Sequence, residues 1–252
     1  MKQARPFPIA PEAMKYLRGE AFSSAIEFPL PESDSEGFNV DRLMYLEDLC
    51  RGQRVLHLGC CDHPPLIRQK IAENRWLHGR LTAVAKTCLG VDIDAEAVAM
   101  VRDQIGHKNV ILADLSATTP PEVQAGQPWD FLVAGEIVEH LDNPVHFLAS
   151  LRKNLTGLCA QIIVTVPNAF RQSNLRHVLK RREQINSDHR FWFTPYTLAK
   201  ILTRAGFTPV SYDLVDISLA RRPNSIKNVF QQWRRKNHPA LRDNLIMLAR
   251  FD

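Results

Sequence analysis

From Arg54 onward the chain alternates between short apolar runs and segments with helical spacing, and this alternation constrains its fold more than any other feature. The runs are Arg54–Leu58, Thr87–Val91, Val110–Leu112, Asp130–Ala134 and Ala160–Val166. They are short and apolar throughout, the pattern of parallel strands covered by helices on both faces. The segments between them carry helix start and stop signals. Asp94 is placed to cap a helix Ala95–Ile105 that ends before Gly106. Asn143 and Pro144 open one that runs to Leu155 and stops near Gly157, and Thr194 and Pro195 open one that ends at Gly206. Beyond Gly206, Thr208–Val215 and Asn244–Phe251 form two further strand-like runs with no clear crossover helix between them, which predicts a closing antiparallel pair. The pattern predicts an α/β fold built as a doubly wound, mostly parallel sheet.

The domain boundaries follow from the same pattern. Residues 1–50 are proline-rich and weakly periodic, apart from helical spacing in Asp41–Leu49, and are expected to form a helical preface or lid. Residues 51–252 form the main domain, with inserts at about 167–193 and 216–242. At 252 residues, 45% apolar and 23% charged, the composition is that of a globular protein with a substantial core. No apolar run approaches the roughly 18 residues of a membrane span, and a cytoplasmic location is expected. Five cysteines without Cys-x-x-Cys spacing suggest neither a disulfide framework nor a thiolate zinc site. The net charge is a modest +5, but cations gather at Arg171, Arg176, Lys180, Arg181 and Arg182, and again at Arg221, Arg222, Lys227, Arg234, Arg235 and Lys236. Such clusters attract phosphate, nucleic acid or anionic lipid, or simply form a solvated face.

An open α/β sheet binds its ligand at the carboxyl ends of its strands. The first main strand ends in Leu58-Gly59-Cys60-Cys61-Asp62-His63. A dinucleotide requires glycines where Cys61 and His63 stand, because its pyrophosphate must approach the backbone. A cofactor with an amino-acid tail in place of a pyrophosphate demands less of this loop. The next strand ends in Gly90-Val91-Asp92-Ile93-Asp94, with a carboxylate placed to accept ribose hydroxyls. The third ends in Leu112-Ala113-Asp114-Leu115, with an acid suited to the exocyclic amine of adenine.

Taken in order, Val55-Leu56-His57-Leu58-Gly59-Cys60, Gly90-Val91-Asp92, Ala113-Asp114-Leu115 and Glu136-Ile137-Val138-Glu139-His140-Leu141 resemble class I S-adenosylmethionine-dependent methyltransferases over roughly residues 50–250. The resemblance implies a single Rossmann-like domain, with a seven-stranded sheet whose last strand is antiparallel. It also implies S-adenosylmethionine as cofactor, held by His57, Gly59, Cys60, Cys61, Asp92, Ile93, Asp114, Leu115 and Glu136. The chain departs from the family at His57, where an acid is usual, and at Cys61 and His63, where glycines are usual.

Glu136, Glu139 and His140 are spaced so that one helical turn would place them on one face. In one reading Glu136 contacts the methionine end of the cofactor, while Glu139 or His140 is the catalytic base. In a second, less favoured, the three join His189 around a divalent metal, as in the similar small-RNA 2′-O-methyltransferases and quinone-pathway O-methyltransferases. In a third they only cap a helix. The insert 167–193 combines arginines with Phe191, Trp192 and Phe193, residue types that hold a phosphate and stack on a sugar or base, or that anchor a loop in the core. In the later insert, Ile226, Val229, Phe230 and Trp233 have the spacing of a surface helix. The expected activity is O-methylation of a small-molecule or glycan-like hydroxyl acceptor, with or without a phosphate. Metal-dependent RNA 2′-O-methylation and a non-catalytic binding module are the alternatives.

Overall fold

The computed structural model describes residues 6–32, 41–62, 64–217 and 237–251. Eight strands form one sheet: β1 (Phe7–Pro8), β2 (Arg54–Leu58), β3 (Thr87–Asp92), β4 (Val110–Leu112), β5 (Trp129–Gly135), β6 (Cys159–Pro167), β7 (Thr208–Val215) and β8 (Asn244–Arg250). Their order is β1-β7-β8-β6-β5-β2-β3-β4. Strands β2 to β6 pair in parallel, and β8 lies antiparallel between β6 and β7. All seven runs expected from the sequence are strands. The eighth strand, β1, lies within residues 1–50, the segment expected to form a helical preface or lid. Phe7 pairs with Tyr212 across the β7 edge, with ring centroids 5.5 Å apart. Two residues are too few to show a period, so only this pairing reveals the strand.

The helices are α1 (Met14–Arg18), α2 (Arg42–Cys50), α3 (Pro64–Ala72), α4 (Leu77–Val84), α5 (Ala95–Ala99), α6 (Pro121–Ala125), α7 (Pro144–Leu155), α8 (Gln172–Leu179) and α9 (Pro195–Arg204). The expected caps are formed: Asp94 accepts from the amides of Glu96 and Ala97, and Asn143 from that of His146. Asp41 caps α2 in the same way, accepting from the amides of Leu43 and Met44. Thr194 and Thr197 close a reciprocal capping box. Each such cap contributes about 1 kcal/mol. The helix expected over Ala95–Ile105 is regular only to Ala99 and continues through Met100–Ile105 as a π-helix. The wider turn leaves Val98 and Val101 together in one cluster with Ile67 and Val110.

Alternation along the strands sorts the core into two layers. Leu56, Leu58, Leu132, Ile162, Val164, Leu245 and Met247 pack with Leu148 and Leu151 of α7 and Leu198 and Leu202 of α9. Val55, Val133, Ile163 and Ile246 pack with Leu46 of α2 and Leu81 of α4. Both faces are buried, which is why the strands read as unbroken apolar runs. The insert after β6 is closed at its base by a bridge between Asn168 and Phe193, and it contains α8, none of whose residues is buried. The second basic group from Arg221 to Lys236, with Ile226, Val229, Phe230 and Trp233, lies outside the described residues, as does His63. Among the described residues, no helix is long and apolar enough to cross a membrane.

Candidate active site

The carboxyl ends of β2, β3 and β4 form one side of the site. Gly59 has φ +63°, a conformation that favours glycine, and a Cβ there would lie 2.9 Å from Ile137 Cδ1, so that side chain would have to shift. Its amide, 2.9 Å from the Val91 carbonyl, ties the loop to β3. Asp92 is buried. Its Oδ2 accepts from the Cys61 amide at 2.8 Å, and its Oδ1 from the amides of Ile93 and Asp94 at 2.8 and 3.1 Å. With roughly four acceptor directions on a carboxylate, about one remains for a ligand hydroxyl. Asp114 is exposed and accepts from the amide and hydroxyl of Ser116 through Oδ1. Leu115 is fully buried, whereas Ile93 and Leu112 expose 73% and 54% of their surface at these tips. An apolar platform between two carboxylates suits a nucleoside, so the residues present fit an adenosyl cofactor.

His57 is turned into the protein. It alternates with Leu56 and Leu58, so it shares the face of Val55 and meets α4. There its ring stacks on His78 with centroids 5.4 Å apart and the two Nδ1 atoms at 3.3 Å. Burial, then His78, then Arg42 hold its pKa well below the ordinary imidazole range, so it is neutral. Cys60 is buried, with its carbonyl accepting from Trp76 Nε1 at 3.1 Å, and Cys61 is half-buried.

The second side of the site lies beyond β5. The expected single helical face for Glu136, Glu139 and His140 is not formed, because only Val138–His140 makes a turn, of 3-10 type. Glu136 stands before it at φ +56°, a strained conformation for a residue with a Cβ. Its Oε1 accepts from Thr165 Oγ1 at 3.0 Å and from Asn244 Nδ2 at 2.8 Å, and lies 3.7 Å from Arg42 Nη1. Glu139 is fully buried, and neither carboxylate oxygen has a hydrogen-bond partner among the described residues. Burial first, and the nearby Glu136 second, push its pKa up to about 8. Glu139, His140 and His189 have ligand atoms within 4.8 Å of one another, and the two imidazoles meet edge to face at 4.6 Å. His189 is held below its usual pKa, first by burial and then by His140. It is delivered by the insert, which is pinned here by the Arg190 amide on the Glu139 carbonyl at 2.8 Å and by an ion pair between Arg190 and Asp142. Within the insert Phe193 is core, whereas Arg171 lies over the Trp192 ring at 4.7 Å.

The structure therefore separates the sequence-predicted residues into a nucleoside group (Gly59, Asp92, Ile93, Asp114), a buried pair beneath it (His57, Cys60) and the cluster of Glu139, His140 and His189. Sequence reasoning missed Arg42, Thr165 and Asn244, which surround Glu136. A polar residue inside an otherwise apolar strand was an available signal for Thr165, and one at the start of such a strand for Asn244. Arg42 offered none.

A parallel sheet with an antiparallel strand in its interior and acids at successive strand tips defines a class I methyltransferase architecture. Residues 32–212 match the model of the methyltransferase-domain family, and the chain belongs to that family of S-adenosylmethionine-dependent enzymes. It is 29% identical over 166 residues to a ubiquinone biosynthesis O-methyltransferase of Dinoroseobacter shibae, a match spanning 64% of this chain and 62% of that enzyme's length. Among solved structures, a Bacillus halodurans protein assigned as a methyltransferase superposes with a TM-score of 0.50 at 13% identity, covering 83% of this chain and 98% of that one. A S-adenosylmethionine-dependent methyltransferase from Archaeoglobus fulgidus gives 0.47 at 19% identity, covering 83% and 91%.

Proposed function

We propose that the chain transfers the methyl group of S-adenosylmethionine to a hydroxyl of a small-molecule or glycan-like acceptor. The observation that carries this reading is the cluster of Glu139, His140 and His189 across the strand tips from the nucleoside group, beneath an insert carrying Arg171 and Trp192. The likeness to an O-methyltransferase of quinone biosynthesis supports oxygen as the methylated atom.

When bound, the cofactor supplies an electrophilic methyl group on a sulfonium. Asp92 and Asp114 would hold its ribose and adenine, with Ile93 as the apolar surface for the adenine, and Glu136 would hold its amino-acid end. His140 would take the acceptor's hydroxyl proton as the methyl group passes from the cofactor's sulfur to that oxygen. His189, kept neutral, positions the His140 ring. Arg171 and Trp192 hold the acceptor, the arginine also suiting a phosphate on it.

A second reading adds a divalent cation at Glu139, His140 and His189, favoured by the two Glu139 oxygens, which have no hydrogen-bond partner among the described residues. The cation would draw Glu139 into its ionised form and lower the pKa of the acceptor hydroxyl. Methyl-labelled S-adenosylmethionine incubated with fractionated small-molecule extracts, with and without chelator, tests both readings. Label in an ether-linked product is expected. Label confined to nitrogen, or methyl transfer only to RNA, would overturn the first reading, and chelator-insensitive turnover would overturn the second.

A further inference from the structure

Cys60 and Cys61 stand in the cofactor loop at positions the proposed chemistry leaves unused. Their Sγ atoms are 3.9 Å apart, and together with a carboxylate oxygen of Asp92 they form a set of ligand atoms all within 4.8 Å of one another. Two thiolates on one tetrahedral ion, each about 2.3 Å from it, lie about 3.8 Å apart, so the sulfurs already have the required separation. The loop is braced around them: Trp76 Nε1 donates to the Cys60 carbonyl, the Gly59 amide bonds Val91, and the Cys61 amide bonds Asp92. The Cys60 sulfur also occupies space that only a glycine beneath it leaves open, since a Cβ on Gly90 would lie 2.7 Å from it. Little reorganisation would be needed to bind an ion. Two sulfurs and a carboxylate select a soft or borderline cation over magnesium or calcium, unlike the nitrogen and oxygen donors of Glu139, His140 and His189.

We propose that Cys60, Cys61 and Asp92 bind one thiophilic divalent cation of the zinc or cadmium type, and that the filled site excludes S-adenosylmethionine. Binding replaces two thiol protons, which are released to solvent, and leaves both sulfurs as thiolates on the ion. The exclusion rests on the reading that Asp92 and the Gly59–Cys61 loop hold the cofactor, because both ligands then need the remaining acceptor direction of Asp92.

The test is a cadmium titration of the reduced full chain, followed by the ultraviolet thiolate-to-metal charge-transfer band, which the histidine and carboxylate cluster cannot produce. One saturable equivalent is expected. It should weaken at least about 100-fold in C61S, since losing a ligand costs more than losing an outer-shell partner. D92N should weaken it as well, whereas C88A and C159A should leave it unchanged, with folding of each variant checked by circular dichroism. A band that is absent, or that survives in both C61S and D92N, overturns the site. A band lost in C61S while S-adenosylhomocysteine binds equally well with and without cadmium overturns the exclusion, and with it the placement of the cofactor on this loop.

Discussion

The two halves of the candidate site are built differently. Around β2 to β4, polar groups are largely satisfied within the chain: Asp92 carries three backbone amides and Asp114 closes a turn. Around β5 and β6 the chain tolerates an acid at positive φ and buries a carboxyl with no hydrogen-bond partner among the described residues. Buried polar groups are seldom left so, because each unmade bond costs about 1–3 kcal/mol. Under the proposed function the first half would serve as a rigid receptor, and the second would hold strain and desolvation beside the reacting groups.

Four experiments probe that contrast. The largest expected effect is on chemistry: H140A should lower kcat by about 10²–10⁴-fold while changing S-adenosylhomocysteine affinity less than about threefold, measured by steady-state kinetics and calorimetry. Equal losses in both quantities would merge the two halves. Next comes stability against pH, measured by urea denaturation in chelator. Below the unfolded pKa of Glu139, near 4.5, the carboxyl is neutral in both states. As pH rises toward about 8 the unfolded chain ionises while the folded chain stays protonated, so native stability is lost across this window. E139Q should abolish that loss and gain about 2–4 kcal/mol on the parent between pH 5 and 8. Parallel curves would mean Glu139 is ionised in the folded protein. Third, D92A should weaken S-adenosylhomocysteine about 30–100-fold, the value of one or two bonds to a charged group. An unchanged affinity would leave Asp92 as a loop brace alone. The smallest effect is expected for W192L, which removes the stack on Arg171 and should cost about 0.5–1 kcal/mol of stability.

The contrast also explains what could be read from the sequence. Strands buried on both faces and helices with side-chain caps leave local marks, so all seven main strands and the helices at Asn143 and Thr194 were legible nearly to the residue, and the helix at Asp94 in its extent but not in its π-helical second half. The placement of Gly59, of Asp92 with Ile93, and of Asp114 at the tips of β2, β3 and β4 was legible because each follows directly on an apolar run. The surroundings of Glu136 were not, since Arg42 lies 123 positions from Thr165, and Asn244 lies 108 from Glu136. The single helical face drawn for Glu136, Glu139 and His140 failed for a related reason. Spacing assumes regular dihedrals, and Glu136 is fixed by remote partners in a conformation outside the helical region. His57, placed with the cofactor by its position in the motif, is drawn toward His78 on a neighbouring helix.

The antiparallel placement of β8 has a consequence for how the protein is made. β8 is synthesised after β6 and β7, yet it lies between them, and its Asn244 bonds Glu136. Until residues 244–250 leave the ribosome, the growing chain holds two unzipped edges, and Glu136 lacks one of its hydrogen-bond partners. The site is therefore completed only once β8 has emerged, and a product truncated before this strand would expose sticky β-edges for quality control to recognise.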